Sequence, residues 1–343
     1  MKSVVYDQTG PAGVLRVAER ETPQPGPGEV RVRVVVSGVN PTDWKNRAGM
    51  SRVAAAPATE FTTNQDGAGV IDAVGPGVDG LAVGDRVWIY LAAHGRPAGG
   101  TAQEYTVVPA ERVFVLPGDT GFEVGASLGV PAMTAHRALT VAEDGPARLA
   151  PGALTGATVL VAGGAGAVGH AAIQLARWAG ATVITTISGP AKAALATAAG
   201  AHHVVNYREG DAAAAIRAVA PDGVDLVVEV APAANLELDL AVLRTRGTIA
   251  IYATDGGTAL TVEIGPNLVR NTRLQFLLLY TVGAEALKAA AEDITAALRD
   301  GALPVGEEHG LPLHRFPLAE TGAAHDAVEA GTVGKVLVDV AAG

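Results

Sequence analysis

The stretch from Ala157 to Gly180 constrains this chain more than any other, because it joins a strand pattern, a glycine-rich turn and a helix pattern. Thr158–Ala162 is a short apolar run rich in β-branched residues, which is typical of a central strand in a parallel sheet. The spacing Gly164-x-Gly166-x-x-Gly169 follows directly. This order predicts a dinucleotide site, in which the turn and the N-terminus of the helix receive a pyrophosphate.

The second strand pattern, Thr182–Ile187, decides between the two nicotinamide dinucleotides. A site for NAD usually has an acidic residue at the end of this strand, which accepts a hydrogen bond from the ribose 2′-hydroxyl. Here Ser188 and Lys192 follow the strand, and the next acidic residue is Glu209. Because an ammonium and a hydroxyl bind a 2′-phosphate that a carboxylate would repel, the sequence predicts NADPH. The alternative is that Ser188 only caps the next helix and that Lys192 is a solvated helical lysine.

Composition excludes several classes of function. The chain has 343 residues, of which 49% are hydrophobic and 17% charged, as is typical of a globular protein with more than one domain. Its net charge of −10 and its lack of a basic run argue against nucleic acid and anionic membranes as partners. It has no cysteine, which excludes disulfides, thiolate catalysis and cysteine-ligated zinc. We expect neither a signal peptide nor a membrane span, and we expect a cytoplasmic protein.

Short strand patterns separated by Gly, Pro and Asp turns dominate residues 1–125 and predict a small barrel-like β unit. After Phe122 the pattern changes to strands alternating with Ala-rich helices, which predicts a doubly wound parallel sheet. An apolar strand at Leu274–Tyr280 and a helix at Ala284–Leu298 follow, and a last strand, Lys335–Val340, is expected to return to the β unit. The other predicted strands are Val30–Val36, Val70–Gly75, Asp85–Tyr90, Tyr105–Val108, Val113–Leu116, Val159–Ala162, Thr182–Ile187, His203–Asn206, Val224–Val230 and Thr248–Tyr252.

Eight further motifs are spread over nearly the whole chain: Gly38–Asp43, Asp66–Val70, Gly84–Val87, Gly99–Tyr105, Gly125–Ala135, Val205–Glu209, Asn235–Leu240 and Gly334–Val336. Together with the glycine motif they resemble the medium-chain dehydrogenase/reductase superfamily, and within it the zeta-crystallin-like quinone oxidoreductases. The resemblance implies an α/β protein with two domains. A GroES-like β-barrel substrate domain would comprise residues 1–125 and 266–343, and a Rossmann domain with a doubly wound parallel sheet would comprise residues 126–265. It also implies a homodimer in which Leu274–Tyr280 pairs across the dimer.

The resemblance also implies a set of cofactor contacts, carried over by matching position. The glycine turn, with Ala165, Ala167 and Val168, matches the pyrophosphate contact. The positions that hold the 2′-phosphate of NADPH are matched by Ser188, Lys192 and Tyr207. Positions nearer the nicotinamide are matched by Asn235, Tyr252, Ala253, Leu277, Leu278 and Leu279, and weaker contacts lining the same cleft by Asn40, Thr134 and Lys335. Asn40 has the alternative role of an Asx turn before Pro41, and Thr134 that of a helix residue bonded to its own backbone.

The residues that bind catalytic zinc in other members of the superfamily are missing. Gln65 and Asp66 stand where zinc-dependent relatives carry a His–Glu pair, and the eight histidines form no metal-binding cluster in the sequence. Without a metal to polarise a carbonyl, the reduction of a conjugated quinone or enone is easier than the interconversion of alcohol and ketone. We therefore expect an NADPH-dependent, zinc-independent oxidoreductase that transfers hydride to a quinone or a related α,β-unsaturated carbonyl.

The sequence does not identify the catalytic proton donor, for which Asn40, Lys45 and Tyr90 are the candidates in the cleft. Lys45 stands where many relatives carry a tyrosine near the nicotinamide, which leaves the substrate class open. Two other functions also stay open. One is an enoyl reductase that acts on a polyketide- or fatty-acid-like biosynthetic intermediate, and the other is a non-catalytic NADPH-binding protein.

Overall fold

The computed structural model describes residues 1–50 and 59–341. In these residues the strands are β1 (Lys2–Tyr6), β2 (Arg16–Glu19), β3 (Glu29–Val39), β4 (Phe61–Thr62), β5 (Asp66–Val74), β6 (Arg86–Ile89), β7 (Tyr105–Pro109), β8 (Val113–Val115), β9 (Thr158–Ala162), β10 (Thr182–Ile187), β11 (His203–Asn206), β12 (Val224–Glu229), β13 (Leu243–Ile251), β14 (Arg273–Phe276), β15 (Leu313–Pro317) and β16 (Lys335–Asp339). The helices are α1 (Pro41–Arg47), α2 (Phe122–Leu139), α3 (Ala167–Trp178), α4 (Pro190–Ala198), α5 (Ala212–Val219), α6 (Pro232–Val242), α7 (Ile264–Arg270), α8 (Ala284–Arg299) and α9 (Thr321–Glu329).

The first compact unit is built from both ends of the chain, Met1–Val130 and Leu313–Gly343. Its larger sheet has the order β15-β16-β3-β5-β6-β8, and a smaller sheet has the order β2-β1-β4. The long strand β3 pairs with β7 through Glu29–Arg33 and with β16 through Val36–Val39. The first half of β3 alternates buried with half-buried residues, as predicted, whereas its second half is buried throughout. The pairing of β16 with β3 confirms that the last strand returns to the β unit.

The second compact unit, Pro131–Pro312, is organised around one parallel sheet with the order β11-β10-β9-β12-β13-β14. The order runs outward from β9 in both directions, so the topological switch point lies between β9 and β12. Its core contains buried side chains from the strands and from α5 and α6, among them Leu160, Ile184, Ile216, Leu236 and Ile249. The predicted doubly wound sheet is confirmed.

The structure divides the chain at other positions than those predicted. The second unit begins at Pro131, inside α2, rather than at residue 126, and it ends at Pro312 rather than at residue 265. The late boundary differs because β14 pairs in parallel with β13, which makes the chain beyond residue 265 part of the same sheet. The predicted strand Leu274–Tyr280 is also shorter than expected, because β14 ends at Phe276 and Leu279–Thr281 form a 3-10 turn.

Candidate cofactor site

Gly164 and Gly166 of the predicted motif lie between β9 and α3, and Gly169 lies in the first turn of α3. The three glycines serve different purposes. A Cβ atom at Gly164 would overlap Oγ1 of Thr185, and a Cβ atom at Gly169 would overlap the carbonyl oxygen of Gly163. Packing within the chain therefore requires these two glycines. Gly166, in contrast, is exposed, and a Cβ atom there would lie 3.4 Å from its nearest neighbour, the Gly163 oxygen. The close approach of a ligand such as a pyrophosphate explains a glycine at this position, whereas packing does not.

Gly166 is also the N-cap residue of α3, with φ −83° and ψ 161°. In the described part of the chain no side chain caps this helix, and its first turn holds no acidic residue. The amide groups of the first turn and the positive end of the helix dipole are therefore available to an anion. Ala165, Ala167 and Val168 carry small side chains at this turn, and the latter two are half-buried.

Ser188, Lys192 and Tyr207 gather at the carboxyl ends of β10 and β11. Ile187 and Asn206 are register partners, and Tyr207 N donates to the Ile187 carbonyl oxygen at 3.1 Å. Lys192 lies exposed on the first turn of α4. The alternative in which Ser188 caps α4 is wrong, because the N-cap residue is Gly189 and no side chain of the described residues caps the helix. This corner presents a hydroxyl, an ammonium and a phenol.

The residues matched to the nicotinamide half follow β12, β13 and β14 at the same edge of the sheet. Tyr252 N donates to the Glu229 carbonyl oxygen at 3.1 Å, and Leu277 N donates to the Ile251 carbonyl oxygen at 2.9 Å. Tyr252–Ala253 and Leu277–Leu279 therefore lie side by side where doubly wound sheets bind dinucleotides. Asn235, half-buried, lies near the start of α6. Thr134 belongs to the same unit but is buried within α2.

Two carboxyl groups that the sequence analysis did not single out adjoin Asn235. Glu229, at the end of β12, is 0% exposed, and Asp239, on α6, is 2% exposed. Burial raises the pKa of Glu229, and burial together with the charge of Glu229 raises the pKa of Asp239 well above its usual range. The sequence does carry a signal, since Asn235 and Asp239 are four residues apart and share one face of a helix that follows an acid-terminated strand.

Asn40 and Lys335 meet in the first unit, in a buried polar cluster with Asp43 and Asp66. Lys335 Nζ donates to Asn40 Oδ1 at 2.7 Å and lies 3.7 Å from Asp66 Oδ2. Asn40 Nδ2 donates to Asp66 Oδ2 at 2.7 Å, and Asn40 N donates to Asp43 Oδ2 at 2.7 Å. Both ends of the Asn40 amide are therefore engaged within the unit, at the start of α1.

Burial dominates the electrostatics of this cluster. It raises the pKa of Asp66, and burial together with the charge of Asp66 raises the pKa of Asp43 to about 8. Burial also lowers the pKa of Lys335, against the attraction of the two carboxylates. Asp66 receives a further hydrogen bond from Val130 N at 2.9 Å. Among residues 1–50 and 59–341, no group of three His, Cys, Asp or Glu side chains is placed to hold a metal ion.

The two other candidate proton donors differ in their surroundings. Tyr90 is buried, and its hydroxyl donates to the Glu111 carbonyl oxygen at 3.0 Å. Burial raises the pKa of Tyr90 to about 12, and its ring packs against Trp88. Tyr90 is thus a core residue whose hydroxyl is directed to the backbone, in contrast to its predicted role in a cleft. Lys45 is half-buried on α1, with Nζ 5.7 Å from the centroid of the Trp44 ring.

Two family models match the chain, one for an alcohol dehydrogenase GroES-like domain at residues 26–118 and one for a zinc-binding dehydrogenase at residues 167–296. The quinone oxidoreductase of Lama guanicoe is 30% identical over 344 residues, which cover 98% of this chain and 97% of the relative. The chain belongs to the medium-chain dehydrogenase/reductase superfamily. Within the superfamily it falls in the zeta-crystallin-like quinone oxidoreductase branch.

Two further similarities concern this branch of the superfamily. A 2-haloacrylate reductase from Burkholderia sp is 31% identical over 332 residues, which cover 95% of this chain and 94% of the relative. A mycobacterial protein solved in complex with NADPH has a TM-score of 0.79 and 31% identity, and the match covers 98% of this chain and 99% of that one. This superfamily member is therefore an α/β oxidoreductase with a GroES-like unit and a Rossmann unit. None of the helices in its described residues is long and apolar enough to span a bilayer.

Proposed function

We propose that this superfamily member is an NADPH-dependent reductase of quinones or related α,β-unsaturated carbonyls that works without zinc. The observation that carries the proposal is the second unit's glycine turn with its open Gly166, followed at the end of β10 by Ser188 and Lys192 instead of a carboxylate. The turn and the N-terminus of α3 would hold the pyrophosphate, and Ser188, Lys192 and Tyr207 would hold the 2′-phosphate. The chemistry that NADPH supplies when bound is a hydride.

The choice of acceptor rests on chemistry and on the relatives. Quinones and 2-haloacrylates share a carbon–carbon double bond conjugated to a carbonyl or carboxyl group. When hydride reaches the electron-poor carbon of such a compound, the negative charge spreads onto an oxygen, which hydrogen-bond donors can stabilise. The chain then has to orient the acceptor and exclude water, and no metal is required. The cysteine-free sequence is compatible with a reducing cytoplasm, the compartment that we propose.

Replacing Lys192 tests the assignment of the cofactor. Lys192→Ala is expected to weaken NADPH binding by about tenfold, because a charge-assisted hydrogen bond to the 2′-phosphate is lost, and to leave NADH binding unchanged. Dissociation constants for both dinucleotides, measured by the quenching of intrinsic fluorescence, check this. Lys288→Ala, which removes an exposed lysine of α8, is the matched control. An equal loss of affinity for the two dinucleotides would remove the 2′-phosphate role from Lys192.

A panel of acceptors tests the reaction. NADPH oxidation is followed by absorbance with 1,4-benzoquinone, a naphthoquinone, a simple enone, a 2-haloacrylate and an enoyl thioester, and NADH serves as the comparison. Fast turnover of quinones with a preference for NADPH is the expected result. Turnover confined to the enone and the 2-haloacrylate would narrow the proposal to activated alkenes, the class named for the 2-haloacrylate reductase relative. Turnover confined to the enoyl thioester would favour an enoyl reductase that acts on a biosynthetic intermediate. Tight NADPH binding without any turnover would favour a binding protein.

We also propose a homodimer that forms through the β14 edge of the second unit. In the described sheet β14 pairs on one side only, and Phe276 on this strand is 63% exposed. The neighbouring helix α7 exposes three large apolar residues, of which Ile264 is 76% exposed. An open edge strand with exposed apolar residues on it and on the next helix favours pairing with a second copy. Light scattering during size-exclusion chromatography is expected to give twice the mass of the chain, and Phe276→Asp is expected to lower it. A monomer at all protein concentrations would contradict the proposal.

A further inference from the structure

Glu229 and Asp239 of the second unit are not explained by packing or by surface charge. Both are buried, and their side chains are hydrogen-bonded to each other. Glu229 Oε1 also accepts hydrogen bonds from Ala231 N and, at 3.0 Å, from Asn235 Nδ2. Asp239 Oδ2 is buried and receives no hydrogen bond from an N–H or hydroxyl group of the described residues. Glu229 ends β12, and Asp239 lies on α6, the helix that also carries Asn235.

The pair must hold one proton. Two carboxylates are acceptors only, so the hydrogen bond between them requires that one of them be protonated. Glu229 accepts two further hydrogen bonds and is therefore the stabilised anion. Asp239 Oδ2 has no N–H or hydroxyl donor among the described residues, and Asp239 is therefore the acid. Among the described residues, Glu229 also interacts electrostatically with the phenol of Tyr252, on which Asp255 acts as well, and neither Tyr252 nor Asp255 supplies a positive charge.

The charge of Glu229 fixes the orientation of the Asn235 amide. A carboxylate accepts hydrogen bonds and cannot donate them, so the nitrogen of Asn235 faces Glu229 and the oxygen faces away. Asn235 is half-buried, so part of this residue remains accessible. Asn235 therefore presents an acceptor, and its counterpart on a ligand must be a donor.

We propose that Glu229 and Asp239 form a proton-sharing pair that positions Asn235, so that its amide oxygen accepts a hydrogen bond from a donor on the nicotinamide half of the cofactor. The inference rests on the proposed function, since it takes the dinucleotide as the ligand of this edge. Two donors of that half have the required chemistry, the carboxamide nitrogen and a ribose hydroxyl. Glu229 and Asp239 are positioning residues, because they act on the ligand only through Asn235.

The test compares four variants of the full chain by their dissociation constants for NADPH. Asp239→Leu keeps the branching at Cγ but removes the donor to Glu229, and Asn235→Ala removes the acceptor. Each is expected to weaken NADPH binding by about tenfold. Asp239→Asn restores a donor to Glu229 and is expected to bind NADPH within about twofold of the unaltered chain. Glu237→Gln, an exposed carboxylate-to-amide change on the same helix, is the matched control and is expected to change nothing.

A second arm uses the 3-acetylpyridine analogue of NADPH, in which an acetyl group replaces the carboxamide and no N–H remains. If the carboxamide is the donor, Asn235→Ala weakens NADPH binding and leaves binding of the analogue unchanged. An equal loss for both ligands supports the same positioning with the ribose hydroxyl as donor. The proposal is overturned if Asn235→Ala binds NADPH normally, or if Asp239→Asn loses as much affinity as Asp239→Leu.

Two further measurements distinguish a failure of this inference from a folding defect and from a failure of the proposed function. Thermal unfolding of each variant identifies a loss of affinity that comes from a loss of structure, and the Asn235→Ala and Asp239→Asn comparison remains decisive if Asp239→Leu does not fold. An unaltered chain that binds no NADPH would overturn the proposed function and this inference together. Normal NADPH binding by all four variants would overturn this inference alone.

Discussion

Gly164 and Gly166 belong to one motif, but their replacement is expected to affect different properties, stability for Gly164 and dinucleotide binding for Gly166. Gly164→Ala places a methyl group against Thr185 and is expected to lower the free energy of unfolding by about 1–3 kcal/mol, because the core there is already close-packed. Gly166→Ala has room and an allowed φ of −83°, but alanine is a poorer N-cap residue than glycine, so its stability is expected to stay within about 1 kcal/mol of the unaltered chain. It is nevertheless expected to lose dinucleotide affinity, because the methyl group occupies the space of the pyrophosphate.

Urea unfolding and NADPH titration of the same two variants check this pair of expectations. Each variant is the control for the other, since both add one methyl group to one turn. A Gly166→Ala variant that binds NADPH normally would show that the pyrophosphate does not approach this glycine.

At this scale the sequence predicts residues whose function depends on local order, and it misses those that depend on distant contacts. The glycine turn is defined by its flanking strand and helix, both of which lie within a few residues. Tyr90 carries a hydroxyl that could donate a proton, but its surroundings are set by Glu111 and by the ring of Phe114, which come from other parts of the first unit. Glu229 was likewise missed, because a search for apolar runs gives no reason to expect a buried acid at the end of a strand. The reason appears only in the fold, where Asp239 lies beside it.

Among the strands and helices, the bounds were predicted best for those that end at a clear break in the sequence. The bounds of β10 and β11 agree with the prediction, since both are short β-branched runs that end at clear breaks. The apolar run Leu274–Tyr280 carries no such break, so the end of β14 at Phe276 could not be read from it. β2 was not predicted, because Arg16–Glu19 is mostly exposed and has no apolar periodicity. Its strand conformation comes from pairing with β1.

In the second unit, Asp293 joins α8 to the C-terminal half of α2, and this contact is expected to make stability depend on pH. Asp293 Oδ2 lies 2.8 Å from His136 Nε2 and accepts from Leu149 N at 2.7 Å, while Arg148 binds the same carboxylate. Burial alone would raise the pKa of Asp293, but these hydrogen bonds outweigh it and lower the pKa to about 2. A lowered pKa stabilises the fold at pH values above the usual range of an aspartate, and the stabilisation is lost as the pH falls from about 4 to about 2.

Asp293→Asn is therefore expected to lower the free energy of unfolding by about 2 kcal/mol at pH 7, and the difference from the unaltered chain is expected to shrink as the pH falls towards 2. Urea unfolding at a series of pH values measures it. Glu292→Gln, which alters the exposed neighbouring acid that also pairs with Arg148, is expected to cost less than about 0.5 kcal/mol. A difference for Asp293→Asn that is independent of pH would show that the carboxylate charge contributes nothing.

For the molecule as a whole, the main consequence of the topology is that the first unit needs both ends of the chain. Ending the chain at Gly334 removes β16, which lies between β15 and β3 and contributes the buried residues Val336 and Val338. The first unit is expected to unfold in this truncated chain, whereas the second unit, which contains a separate sheet and core, is expected to remain folded. Limited proteolysis followed by mass spectrometry is expected to leave a protected fragment close to residues 131–312.

Tryptophan fluorescence gives an independent check, because Trp88 is buried in the first unit and Trp178 lies in the second. In the truncated chain the Trp88 emission is expected to shift to the red, while Trp178, observed alone after Trp44→Phe and Trp88→Phe, is expected to keep its emission. The same double replacement in the untruncated chain is the control. Digestion of both units at the same rate would contradict the expectation.

The place of β16 in the sheet also has a consequence for biosynthesis. Val36–Val39 of β3 emerge early from the ribosome, but their partner on β16 is made about 300 residues later. The first segment of the first unit ends at Val130. At roughly 5–20 residues per second, synthesis from there to β16 takes on the order of 10–40 s. During that time a valine-rich strand edge stands unpaired while the Rossmann unit is being made and folded. We therefore expect the nascent chain to bind holding chaperones, and we expect its yield in a cell to depend on how long that one edge is shielded from other strands.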